Sequence, residues 1–149
     1  MAYKDTKRSS DYMKFFWNVS KPVGSSMINR SSDVALVQTL LRLSYDCSFV
    51  ATLPITGVCD HQTREAIRKF QREFSGYSVK AGFGALEADG IVSHADNFGF
   101  DGPGGKTIAY TIVALNFCVS RFHKVKWENL CYDPDVPIYL RMELLKAAA

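Results

Sequence analysis

The sequence predicts a mainly α fold: a three-helix core with an N-terminal arm, a long glycine-rich loop and an extra C-terminal helix. Three apolar-periodic stretches predict it, at 33–45, 61–74 and 107–121. A chain of 149 residues with 47% hydrophobic and 22% charged residues can also build a real core.

Residues 1–32 carry six Lys or Arg against two Asp, a net charge of +4, which leaves the remaining 117 residues at −1. This basic arm reads as a solvated tail. Within it Met13, Phe15, Trp17 and Val19 alternate with Lys14, Phe16 and Asn18, a short strand pattern that Pro22 and Gly24 end. Ser32 is a fitting N-cap for the first helix, and Asp33 suits a first turn because its charge complements the helix dipole. Val34, Val37, Leu40 and Leu41 form one apolar face, and the helix is expected to end near Tyr45.

Asp46 to Cys59 is a loop with Pro54 and Gly57, and Asp60 caps the second helix. Ala66, Ile67, Phe70 and Phe74 form its core stripe, while Arg64, Arg68, Lys69 and Arg72 fall mostly on the solvated side. Residues 76–105 are glycine-rich and irregular, long for a connection inside one compact domain, and Asp89-Gly90 marks a turn within them. The third helix is expected from Thr107. Ile108, Ile112, Leu115, Val119 and Phe122 follow the strongest helical period in the chain, and Tyr110, Ala114 and Phe117 add a second apolar face. A last helix is expected from Pro137 to Ala147, with Asp135 as its cap.

Several function classes are disfavoured. The body lacks the dense basic face of a nucleic-acid binder. The longest uncharged segment, Thr107–Ser120, has 14 residues, short of the roughly 20 that a membrane span needs. The apolar run Phe15-Phe16-Trp17 is too short for a classical signal peptide, so the protein is expected in the cytoplasm or exported by a dedicated machine.

The four cysteines, at 47, 59, 118 and 131, form no Cys-x-x-Cys pair; Cys118 reads as a buried thiol, and Cys47 and Cys59 flank one loop across which they can pair in an oxidising place. His61, His94 and His123 show no zinc-helix spacing, and His94 beside Asp96 is the only hint of a metal site. The segment 99–107 approaches a phosphate-binding loop, but its first glycine stands one residue too early. Glu65, Glu73 and Glu87 are isolated carboxylates rather than a glycosidase pair. No catalytic set, metal or cofactor is expected.

The order of helices and the words inside them resemble the bacterial peptidoglycan-binding domain family. The matching words are Asp33-Val34, Val37-Gln38, Leu40-Leu41, Gly57-Val58, Thr63, Ala66-Ile67, Phe70-Gln71, Asp89-Gly90-Ile91-Val92 and Thr107, over about residues 33–115. The lead-in Val23-Gly24, Asn29-Arg30 is similar to variants found beside type VI secretion cell-wall proteins. Thr56 stands where the family has Asp, Asp60 where it has Gly, and Ile108 where it commonly has Trp. The amides of Gln38 and Gln71 can each satisfy backbone groups of a loop.

The resemblance implies a peptidoglycan-binding-like domain over 33–122, with residues 1–32 as an N-terminal extension and 123–149 as a C-terminal extension packing on it. It implies a non-catalytic module for peptidoglycan, its glycan or its stem peptide. The alternative is an adaptor in a secretion or phage-like apparatus, using the same fold to dock proteins. The expected ligand residues are ring platforms at Tyr45, Tyr77 and Phe83 and a polar cluster of Asp60, Thr63 and Arg64 at the start of the second helix, bordering one groove.

Overall fold

The computed structural model describes residues 1–6, 13–44, 52–80, 86–95 and 110–148. These form a two-stranded antiparallel sheet, β1 (Tyr3–Asp5) and β2 (Phe16–Asn18), and five helices: α1 (Ser31–Ser44), α2 (His61–Lys80), α3 (Thr111–Phe122), α4 (Lys124–Glu128) and α5 (Ile138–Ala148). A 3-10 turn, Leu130–Tyr132, leads from α4 towards α5. The fold is mainly α, as the periodicity predicts.

The arm is not a solvated tail. Tyr3, Lys4 and Asp5 pair with Asn18, Trp17 and Phe16. Ala2, Met13, Phe16, Trp17, Val19 and Val23 belong to the same apolar core as α1, α2 and α3. Period-two reasoning placed Phe16 on the face opposite Trp17, yet both are fully buried because β2 is covered on both faces. A charge count sees the lysines of this segment, but not that its aromatic residues outweigh them once packed.

Asn116 of α3 fixes β2. Its Oδ1 accepts from the Trp17 backbone N–H at 2.8 Å and its Nδ2 donates to the Trp17 carbonyl at 2.8 Å. The two tryptophans close the arrangement: Trp17 Nε1 donates to the Trp127 carbonyl at 2.7 Å, and Trp127 Nε1 donates to Asn116 Oδ1 at 2.9 Å. Phe15 stacks on Trp127 with centroids 4.4 Å apart, and Lys4 lies 4.1 Å over the Phe15 ring. β2 and α4 are thereby tied to α3.

Asp33, fully buried, does more than complement a dipole. Its carboxylate accepts from the Ser20 N–H and hydroxyl, both at 3.0 Å, and from the Lys21 N–H at 3.1 Å. The Val23-Gly24…Asn29 lead-in also has a structural role. Asn29 grips Gly24 through two bonds of 2.8 Å, and Val23 forms a bridge with Val92. A Cβ on Gly24 would lie 2.6 Å from the Gly90 carbonyl oxygen, so only glycine allows this approach.

Helix bounds differ from the expectation at four places. α1 starts at Ser31, so Ser32 lies inside it rather than capping it, and its hydroxyl accepts from the Ala2 N–H at 3.3 Å. α2 runs past Gly76 to Lys80, where Ser75 Oγ accepts from the Leu86 N–H at 2.8 Å and secures the chain that returns. α3 starts at Thr111 rather than Thr107, with Tyr110 extended at its cap; residues 107–109 lie outside the described residues. α5 starts one residue later than expected, with the Pro137 carbonyl accepting the first helical bonds from Leu140 and Arg141. Among the described residues no helix is long and apolar enough to cross a membrane.

Candidate functional site

Two glutamines organise the loops around the helical core. Gln38 Oε1 accepts from the N–H groups of Thr56 at 2.9 Å and Gly57 at 3.0 Å. Its Nε2 donates to the Thr56 hydroxyl, the Val58 carbonyl and the Thr63 hydroxyl, at 3.2, 3.1 and 2.9 Å. Gln71 repeats this on the next loop: Oε1 accepts from Gly90 at 2.9 Å, and Nε2 donates to Asp89 Oδ1, the Ile91 carbonyl and the Thr111 hydroxyl at 3.1, 3.1 and 3.0 Å. Gly57 and Gly90 both adopt left-handed φ, +75° and +73°. A side chain at Gly57 would also strike Tyr139 Oη, 2.5 Å from the Cβ position.

Thr56 thus replaces a carboxylate with a hydroxyl and keeps the job: it accepts from the Val58 N–H at 3.1 Å, just as Asp89 accepts from Ile91 at 2.9 Å. The threonine equivalent to Thr63 is Thr111, not Thr107.

Of the six expected ligand residues, the four that are described, Asp60, Thr63, Arg64 and Tyr77, do not gather in one place. Tyr45 and Phe83 lie outside the described residues, as do Cys47, Asp96 and the segment 99–107. Thr63 is fully buried; its hydroxyl donates to Asp60 Oδ1 at 2.8 Å while accepting from Gln38. Asp60 caps α2 through the Thr63 N–H at 2.9 Å, and that backbone bond, followed by the Thr63 hydroxyl, holds its carboxyl below the usual range. Arg64 donates from Nη1 to the Cys59 carbonyl at 2.9 Å. This cluster is engaged in building the helix start. Tyr77 is 13 residues beyond Arg64 on the same helix, about 20 Å away along the axis.

Tyr77 belongs to a different feature. Residues from the C-terminal halves of α1, α2 and α3 enclose a groove of about 310 Å³, lined by Ser44, Phe70, Glu73, Phe74, Tyr77, Phe117, Cys118, Arg121 and Phe122. Phe70, Phe74 and Phe117 are its buried floor, and Tyr77 (52% exposed) and Phe122 (67%) stand at its mouth. Phe70, Phe74 and Tyr77 follow at i, i+4 and i+7 on α2, which puts them on one face. Phe70 stacks with Phe74 at 5.6 Å and Phe74 meets Tyr77 at 6.2 Å.

The polar groups at the groove are few. Ser44 Oγ is bonded to the Leu40 carbonyl at 2.6 Å. Glu73 has Lys69 Nζ at 3.8 Å. Burial pushes the Cys118 thiol up to about 12 against the opposing effect of Arg121, so it stays a neutral, apolar wall at physiological pH. The Arg121 guanidinium sits 5.5 Å over the Phe117 ring.

Sequence reasoning placed Phe70, Phe74 and Phe117 in the core and missed Arg121 and Phe122 as neighbours of Tyr77. Their positions follow from how α3 packs beside α2, which helical periodicity alone does not encode.

Among the described residues no three His, Cys, Asp or Glu side chains gather as a metal site, and His94 instead has its Nδ1 2.7 Å from the Val19 carbonyl. No protein family, curated protein or solved structure matches the chain.

Proposed function

We propose that the chain is a non-catalytic recognition module for peptidoglycan, and that wall fragments bind in the aromatic groove between α1, α2 and α3. The supporting observation is the pairing, at one groove mouth, of two exposed rings with a guanidinium: Tyr77 and Phe122 beside Arg121. An apolar, ring-lined groove suits an apolar side chain of the stem peptide, and a planar guanidinium suits its carboxylate. The motif resemblance over residues 33–115 supplies the ligand class. Arg121 takes the part that sequence reasoning gave to Arg64.

The test is co-sedimentation of the purified protein with isolated sacculi. Retention in the pellet, reduced by Tyr77→Ala, supports the reading. A protein that stays in the supernatant across pH and salt ends it.

The adaptor reading has one observation in its favour. Ile138, Met142 and Leu145, at i, i+4 and i+7, are exposed along α5 while Leu140 and Leu144 fill the core beneath. A helix apolar on both faces suits protein docking, and this reading takes over if sacculi retain nothing.

A further inference from the structure

The wall-binding reading pairs Arg121 with a carboxylate, and the lining of the groove narrows what accompanies that carboxylate. We infer that the groove is a site for an amphipathic organic anion: an apolar body that fills the space between Phe74, Tyr77, Phe117 and Phe122, with one carboxylate or equivalent group set against Arg121. In the wall-binding context this is the apolar side chain and adjoining carboxylate of a peptide, rather than a sugar ring.

The argument begins with volume. A cavity of about 150 Å³ accommodates a benzene ring, so 310 Å³ takes a body of roughly a dozen non-hydrogen atoms. The floor offers that body almost no hydrogen bonds. Phe70, Phe74 and Phe117 are buried carbon, the Cys118 thiol stays neutral, and the Ser44 hydroxyl is already spent on Leu40. A sugar's hydroxyls would lose water there without replacement, which costs more than ring contact returns. An apolar group loses nothing.

The sign of the head group follows from the two charged side chains that line the groove. Glu73 has the ammonium of Lys69 at 3.8 Å, which offsets its charge locally. Arg121 has no carboxylate within ion-pair distance among the described residues, and its neighbour is the Phe117 ring, which holds the guanidinium over the apolar floor. An anion with a cation beside it and a cation with no carboxylate beside it among the described residues together favour a negative ligand. The Arg121 side chain can meet it with two parallel N–H donors.

The inference shares its groove with the wall-binding reading but is tested without wall material, so the two fail separately. The probes are 8-anilinonaphthalene-1-sulfonate, an aromatic anion, and N-phenyl-1-naphthylamine, its neutral counterpart, titrated by fluorescence against the folded protein. The anionic probe is expected to saturate at one per chain while the protein keeps a cooperative melt, which separates site binding from a loosened core. Arg121→Gln is expected to lower the affinity ratio of anionic to neutral probe about fivefold, the scale of a partly exposed ion pair. Tyr77→Ala and Phe122→Ala, both at exposed positions, are expected to weaken both probes together. An affinity ratio unmoved by Arg121→Gln overturns the charge assignment. No saturable binding, or binding indifferent to Tyr77→Ala and Phe122→Ala, overturns the site.

Discussion

Gln38 and Gln71 hold equivalent loops by equivalent bonds. Each amide reaches a residue 18 positions ahead (Thr56 or Asp89) and a carbonyl 20 positions ahead (Val58 or Ile91). Each also donates to the threonine that opens the following helix, Thr63 at 25 positions and Thr111 at 40. The first two spacings are identical, and the third differs because a longer segment separates Ile91 from Thr111. A helix carrying such an amide can secure the next loop and the next helix start at once, and the chain uses the device twice in succession.

Removing either amide is expected to be costly. Gln38→Ala strands the N–H groups of Thr56 and Gly57; Gln71→Ala strands Gly90 N–H and Ile91 carbonyl. Each is expected to lower unfolding free energy by about 2–3 kcal/mol in denaturant melts, since unpaired buried backbone groups lose their full desolvation cost. A loss under about 0.5 kcal/mol for both would show that water replaces the amide and that the repeated bonds are incidental.

The first strand is expected to contribute to the core. Removing residues 2–6 takes away β1, the buried Ala2 and Asp5, and the Lys4 contact over Phe15. A cost of about 2 kcal/mol would lower Tm by about 4–8 °C in a domain of this size. A melting temperature within about 2 °C of wild type would return this segment to the solvated tail that its charge suggests.

These two regions show what the sequence makes legible. Helix positions were readable because Val34, Val37, Leu40 and Leu41, or Ile112, Leu115 and Val119, repeat at a helical period; that period does not show that Ser32–Leu41 and Thr111–Phe117 are buried on every side. The amide clamp was readable because Gln38 and Gln71 each follow a core residue inside a repeated word. β1 was not readable, since three residues beside a lysine-rich stretch carry no period and gain their stability from Trp17 and Asn116 far along the chain. The groove was half readable: Tyr77 continues the Phe70–Phe74 stripe, but its approach to Arg121 and Phe122 depends on how two helices pack. Asp60 and Thr63 suit a cap better than a ligand as residue types, and the hydrogen bond between them places both in the cap.

Alkaline pH is expected to destabilise the protein through Cys118. Its thiol ordinarily ionises near 9.0, and burial raises that to about 12 in the folded chain. From pH 9 upward the unfolded chain releases this proton while the folded chain keeps it. The stability linked to the protonated thiol is therefore intact below pH 9 and falls as pH rises towards 12, by up to about 1.4 kcal/mol per pH unit. Cys118→Ala removes this term, so the gap between wild type and variant is expected to shift in the variant's favour between pH 9 and 11. Parallel stability curves over that range would show that the thiol reaches water in the native state.

The two arginines separate the wall-binding site expected from sequence from the groove proposed for it here. Arg64 lies at the start of α2 and gives its Nη1 to the Cys59 carbonyl; Arg121 lies at the groove with Tyr77. About 20 Å divides Arg64 from Tyr77 along α2, more than the guanidinium of one and the ring of the other can share on a single sugar or short peptide. Arg121→Ala and Tyr77→Ala are therefore each expected to reduce sacculus co-sedimentation, and Arg64→Ala to leave it near wild type. Arg121 and Tyr77 are exposed at the groove, so their replacement is expected to cost less than about 1 kcal/mol of stability, and lost retention would report binding rather than unfolding. The effect is best read at low protein loading. A shallow site with micromolar to millimolar affinity gains avidity on a polymer, and avidity hides single-site losses when the sacculus is crowded. Retention lost in Arg64→Ala but kept in Arg121→Ala would move the wall-binding surface to the start of α2 and leave the groove without a part in it.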